Sequence, residues 1–86
     1  MAKVVLYSKD SCPYCVWAKQ LLDSKNIAYS EIRVDLDTNQ LETMIKISGR
    51  RTVPQIFIND KPIGGFDDLS ALAKSGELDA LLGETS

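Results

Sequence analysis

The apolar positions of the chain change their period several times, and each change marks an element. Val4-Val5-Leu6-Tyr7 is a short apolar, β-prone run bounded by Ser8 and Asp10, and reads as a buried strand. Ala18, Leu21 and Leu22 then fall at helical spacing. That helix starts near Cys12, with Pro13 at its first position, where a missing N–H costs nothing, and Asn26 as its stop. Ser30, Ile32 and Val34 alternate with Glu31 and Arg33, which is the period of a strand. Leu41, Met44 and Ile45 form a second helical face, capped by Asp37, Thr38 or Asn39 and ended by Gly49. Gln55-Ile56-Phe57-Ile58 is a further strand, and Asn59-Asp60 suits a two-residue hairpin turn. Lys61-Pro62-Ile63 returns as an edge strand, because Pro62 cannot donate to a ladder. A last helical region carries Leu69, Leu72, Ala73, Leu78, Leu81 and Leu82 and breaks near Gly76.

The order is therefore β-α-β-α-β-β-α. It predicts an α/β fold in which the first βαβ unit is a right-handed parallel crossover. The hairpin adds an antiparallel pair, so the four strands make a mixed sheet flanked by helices. No linker, repeat or low-complexity tract interrupts the 86 residues, and a single domain, 1–86, with a modest core is expected.

Charge and composition narrow the function. A net charge of −2 argues against general nucleic-acid binding. No apolar run approaches the roughly 20 residues of a membrane span. The first residues lack a signal peptide's long apolar region and cleavage site, so a cytoplasmic address is expected. The chain has two cysteines and no histidine. One chain cannot supply the four Cys or His ligands of a structural zinc site, and no metal is expected. Without histidine, Ser-His and Cys-His catalysis are also excluded.

Cys12 and Cys15 carry the candidate chemistry. Three residues apart at a helix start, they share one face, and the spacing permits a disulfide. Only a thiolate attacks a disulfide, and an ordinary cysteine, with a pKa of about 8.5, is mostly protonated at neutral pH. The unpaired N–H groups and dipole of a helix N-terminus favour the negative sulfur. At the cap position, Cys12 can receive the N–H of Tyr14 or Cys15. Lys9 and Lys19 add positive charge nearby. Cys15, inside the first turn, is expected to be more enclosed. Cys12 is thus the expected nucleophile and Cys15 the resolving thiol. Taken alone, Cys-x-x-Cys also fits two core cysteines or half of an intermolecular metal site. The strand before it, the proline within it and the helix after it favour a redox pair in a thioredoxin-like setting.

Four features in order resemble a glutaredoxin, most of all the compact bacterial dithiol type. They are Cys12-Pro13-Tyr14-Cys15, the upstream Lys9, Thr52-Val53-Pro54 and Gly64-Gly65-Phe66-Asp67-Asp68. The resemblance covers essentially the whole chain. Thioredoxin's tryptophan-glycine-containing cysteine motif is absent, as is the Cys-Gly-Phe-Ser motif of monothiol glutaredoxins.

The resemblance implies a thioredoxin-like fold, no tightly bound cofactor, and glutathione as reducing co-substrate. It implies a cis Val53–Pro54 bond opposite the cysteines. Beside Thr52, the exposed N–H and C=O of Val53 would pair with glutathione as an added strand. Gly65, Phe66 and Asp67 would receive the γ-glutamyl end, the α-carboxylate on helix N–H groups and the α-ammonium on Asp67. Asp67 and Asp68 also fit simple helix capping, and Pro54 also fits a plain strand start. Phe66 stands where the family often has a smaller residue. The glycine carboxylate needs a cation: Lys9, with Arg51 as second candidate. Tyr14 would wall the groove, and Trp17 is assigned only surface packing.

Clients would be glutathionylated or disulfide-containing proteins, ribonucleotide reductase being a family-level candidate, and the protein is expected to act as a monomer without membrane or nucleic acid. Two other readings are a redoxin fed by thioredoxin reductase and a carrier bridging a [2Fe-2S] cluster between two chains. The glutathione-site residues Lys9, Thr52 and Asp67 argue against the first. Pro13 argues against the second.

Overall fold

The computed structural model describes residues 3–83. Along the chain run β1 (Val4–Ser8), α1 (Pro13–Ser24), β2 (Ser30–Arg33), α2 (Thr38–Ser48), β3 (Gln55–Ile58), β4 (Lys61–Gly64), α3 (Phe66–Ser75) and α4 (Glu77–Leu81). The strands form one sheet in the order β2-β1-β3-β4. β1 pairs parallel with β2 and antiparallel with β3, and β3 pairs antiparallel with β4. This is the mixed four-stranded sheet that the periodicity predicts. Pro62 lies on β4, an edge strand, where its lack of an N–H is harmless.

The alternation of β1 and β3 divides the core between the two faces of the sheet. On one face Val4, Leu6, Ile56 and Ile58 pack with Ala18 and Leu22 of α1, Leu69 of α3 and Leu78 of α4. On the other, Tyr7 and Phe57 meet Met44 of α2 and Val34, with Tyr7 and Phe57 in an edge-to-face contact of 5.6 Å. Each face is closed by helices, so β1 is buried on both sides and its C-terminal end is fixed. The loop that leads to Cys12 leaves from that end.

Helix ends follow local chemistry. Past Ser24, the Asn26 N–H donates to Asp23 O and the Ile27 N–H to Leu22 O, with Asn26 at φ 59°. That is a Schellman closure with asparagine in the left-handed position. Asp37 caps α2 by accepting the Asn39 N–H at 2.9 Å, and Gly49 closes it at φ 74°. Gly76, at φ 85°, divides the last helical region into α3 and α4.

β2 is shorter than its alternation suggests. It ends at Arg33, and Val34 opens a turn, although Val34 remains buried and donates its N–H to Ser8 O at 2.9 Å. Ser30 and Glu31 are both exposed, because β2 is an edge strand and has little to cover it.

Asn59 and Asp60 take φ values of 51° and 68°, the two positive values of a type I′ turn. Asparagine and aspartate tolerate this region less well than glycine. The ion pair of Asp60 with Lys3, at 3.8 Å between two largely exposed side chains, contributes little. Asp60→Gly is therefore expected to raise stability by roughly 0.5–1 kcal/mol. Urea unfolding checks this; a lowered midpoint would contradict the turn assignment.

Candidate active site at the start of the first helix

Cys12 is the N-cap of α1, in an extended conformation, and Pro13 follows at the first helical position. The Cys12 sulfur accepts the Cys15 N–H at 3.2 Å. An N-cap side chain normally takes such an N–H with an oxygen; here a sulfur holds the same place. Cys12 and Cys15 are joined as a disulfide with their Cα atoms 5.2 Å apart. Cys15 is 1% exposed and Cys12 8%. An approaching sulfur meets Cys12 first.

The loop that presents Cys12 is tied down. Asp35 accepts the Asp10 N–H at 3.2 Å and is gripped by both forks of Arg33, at 2.7 and 2.6 Å. The Arg33 guanidinium, ahead of the Asp10 N–H, holds the Asp35 carboxyl well below the usual carboxylate range. Between Asp10 and Cys12, Ser11 turns the chain at φ 55°.

On one side of Cys12 the Val53–Pro54 bond is cis, and Val53 O lies 3.9 Å from the Cys12 sulfur. Gln55, almost fully buried, donates its side-chain N–H to Thr52 O at 3.0 Å and is 3.3 Å from Thr52 Oγ1. Gln55 thus holds the Thr52-Val53-Pro54 segment from below. Beyond it opens a cleft of about 190 Å³ walled by Tyr14, Thr52, Val53, Pro54, Gly65, Phe66 and Asp67, with Arg50 and Asp68 at its edge. The cleft brings together most of the residues the sequence proposes for a ligand.

At the floor of the cleft α3 begins. Gly65 is its N-cap and has no side chain to offer the first N–H groups. Asp68 reaches back instead and accepts the Gly65 N–H at 3.1 Å, while Arg50 sits 3.4 Å from the same carboxylate. Capping therefore falls to Asp68. Asp67, in the first turn, makes no hydrogen bond or ion pair among the described residues and lines the cleft. Gly64, at φ 119°, is required for a reason internal to the fold: a Cβ there would strike the Asp68 side chain.

A second cleft, of about 280 Å³, is lined by both cysteines of the disulfide, with Lys9, Asp10 and Lys19. Lys9 thus shares a cleft with Cys12, and Asp67 lines the other cleft. Arg51 lines neither cleft; the cation at the edge of the Val53 cleft is its neighbour Arg50. Lys19 is engaged. Its ammonium is 3.0 Å from Glu31, which also accepts the hydroxyl of fully buried Ser8 at 2.5 Å. The charge that Lys19 offers to the cysteines is largely answered by Glu31. Gln55, Arg50, Glu31, Arg33 and Asp35 are site residues that the sequence does not single out. A glutamine inside an apolar strand is the one signal that pointed to any of them.

A strand-loop-helix with a disulfide at the helix cap, facing a cis X-Pro loop, invites comparison with known proteins. A family model for glutaredoxin matches residues 4–63. The chain belongs to the glutaredoxin family. Glutaredoxin 3 of Escherichia coli is 54% identical over 82 residues, covering 95% of this chain and 99% of that protein. Among solved structures, wheat glutaredoxin superposes with a TM-score of 0.84 at 42% identity, covering 96% of this chain and 80% of that one. A buckwheat glutaredoxin–glutathione complex gives 0.87 at 32% identity, covering 96% and 78%. The protein is accordingly a thiol–disulfide oxidoreductase of thioredoxin-like fold, and Cys12–Cys15 is its disulfide.

The Ser8 hydroxyl, and after it the Lys19 ammonium, lower the Glu31 pKa from the ordinary 4.5 against the opposing effect of burial. The depressed value means that Glu31 adds stability above pH 4.5, which is lost as pH falls through the lower folded value. Ser8→Ala removes the largest cause. The Glu31 carboxyl titration followed by NMR is expected to move up toward 4.5 in that variant. An unmoved midpoint would show that the Ser8 contact does not govern it.

Proposed function

We propose that glutathione lies along the Val53 cleft, with its sulfur against Cys12. The activity is glutathione-dependent thiol–disulfide oxidoreduction. What supports the placement is the Cys12 sulfur, held at a helix cap by the Cys15 N–H and facing Val53 O at 3.9 Å. An extended peptide beside Val53 would pair with its backbone as an added strand. Thr52 and Pro54 flank that strand, and Tyr14 and Phe66 wall it. The first N–H groups of α3, from Phe66 onward, lie uncapped by Gly65 and suit the α-carboxylate. The unpaired Asp67 carboxylate suits the α-ammonium. Lys9 is assigned to the glycine carboxylate at the far end, beyond Cys12. Arg51, outside the lining of both clefts, is the weaker candidate for that role.

Cys12 is the nucleophile. As a thiolate it attacks the glutathione sulfur of a mixed disulfide. The client–glutathione S–S bond breaks, a Cys12–glutathione S–S bond forms, and the client leaves as a thiolate that takes a proton from water. A second glutathione thiolate attacks that bond, releasing glutathione disulfide and regenerating the Cys12 thiolate. With a protein disulfide, Cys12 forms the mixed intermediate, and Cys15 loses its proton and displaces the client thiolate. The resulting Cys12–Cys15 bridge is reopened by two glutathione molecules. Access selects between the routes. The clients are glutathionylated or disulfide-containing cytoplasmic proteins, with ribonucleotide reductase the family's candidate. The protein works as a monomer with no tightly bound cofactor.

Cys15→Ser is expected to retain glutathione-coupled turnover of a small mixed disulfide and to lose reduction of protein disulfides. Cys12→Ser is expected to lose both, by on the order of 10³-fold or more, as removal of a nucleophile does. Coupling to thioredoxin reductase instead of glutathione should give no comparable rate. Turnover by the Cys12→Ser protein, or a preference for the reductase, would contradict the assignment.

A further inference from the structure

Trp17 is the chain's only tryptophan, and neither core of the protein uses it. It stands on α1 one turn beyond Tyr14, and the two rings meet edge to face at 5.1 Å. Its other neighbour is distant in sequence: Phe66 of α3, whose ring lies 5.9 Å from Trp17 and 6.2 Å from Tyr14. Three aromatic rings from two helices thus form one ledge. Tyr14 remains 53% exposed and Trp17 47%. Tyr14 and Phe66 are at the same time walls of the Val53 cleft, so the ledge continues the cleft outward over the surface.

Trp17, unlike Tyr14 and Phe66, lies outside the lining of the cleft assigned to glutathione, whose two carboxylates and ammonium are assigned to charged and backbone groups. The other half of the substrate is a polypeptide joined through its cysteine. We infer that Trp17 is a specificity-determining residue for polypeptide clients: its exposed ring receives an apolar side chain flanking the client's reacting cysteine. This deepens the glutathione reading above and rests on it. Aromatic rings that stay rigid and half-exposed are well suited to such a contact, since little side-chain freedom is lost on binding. Trp17 lines neither the cleft that holds the two cysteines nor the Val53 cleft, and its contribution falls on the client rather than on the exchange step.

The test compares three substrates in the glutathione-coupled assay. One is a glutathionylated hexapeptide with phenylalanine and leucine beside its cysteine, one the same peptide with glycine and serine there. The third is the glutathione mixed disulfide of β-mercaptoethanol. The native protein should favour the apolar peptide over the glycine-serine peptide by about tenfold in kcat/KM, the scale of one aromatic anchor. Trp17→Ala should remove that preference while changing kcat/KM for the β-mercaptoethanol substrate less than twofold. Trp17→Phe should keep most of the preference. In protein carrying both Cys12→Ser and Cys15→Ser, which cannot exchange with the substrate, the apolar peptide should shift Trp17 fluorescence and the glycine-serine peptide should not.

No preference in the native protein overturns the inference, as does an equal loss by Trp17→Ala on all three substrates. A Trp17-dependent dimer in sedimentation would overturn it too, by assigning the ledge to a second copy. Failure of the β-mercaptoethanol substrate with native protein would instead strike the glutathione reading itself.

Discussion

The hydrogen bond from the Cys15 N–H to the Cys12 sulfur is the contact on which the site is built. It makes a sulfur serve as the cap of α1, in the place where uncapped N–H groups carry partial positive charge. In the reduced protein, that environment favours negative charge on Cys12 without any histidine. It also distinguishes two otherwise similar thiols. Cys12 accepts the N–H and sits at the surface end of the helix; Cys15 supplies the N–H and lies beneath it.

Everything around this contact fixes where it points. β1 is covered on both faces, and the loop leaving it is tied through Asp35 to the end of β2. From the opposite side, Gln55 steadies the Thr52-Val53-Pro54 segment and Asp68 caps α3. These are modest interactions taken singly. Together they bring the Cys12 sulfur to 3.9 Å from a backbone carbonyl 41 residues away, and that carbonyl's residue shares a cleft with the start of α3. The positioning groups are distinct from those expected to touch substrate. Asp68 caps while Asp67 stays open, and Glu31 answers Lys19 while Lys9 stays open among the described residues.

Local chemistry was readable wherever it depends on neighbours in sequence. Pro13 at the helix start, Asn26 in the left-handed stop, Asn59-Asp60 in the hairpin and Pro62 on the edge strand all follow from rules about one or two residues. The length of β2 did not, because its last pairing is decided by β1 rather than by its own alternation. At the site, the cap role of Cys12 was readable and the partners of charged side chains were not. Whether Lys19 faces the sulfur or Glu31, and whether Arg50 or Arg51 borders the cleft, depends on contacts between elements. The same holds for Trp17. Its contact with Tyr14 is a helical spacing, but Phe66 reaches it only through the packing of α3 beside α1.

The most direct test of the account is the order in which the two thiols react. Reduced protein would be treated with substoichiometric iodoacetamide at neutral pH and the label mapped by mass spectrometry. Cys12 is expected to carry nearly all of it. Preferential labelling of Cys15, or equal labelling of both, would contradict the claim that the helix cap makes Cys12 the attacking sulfur.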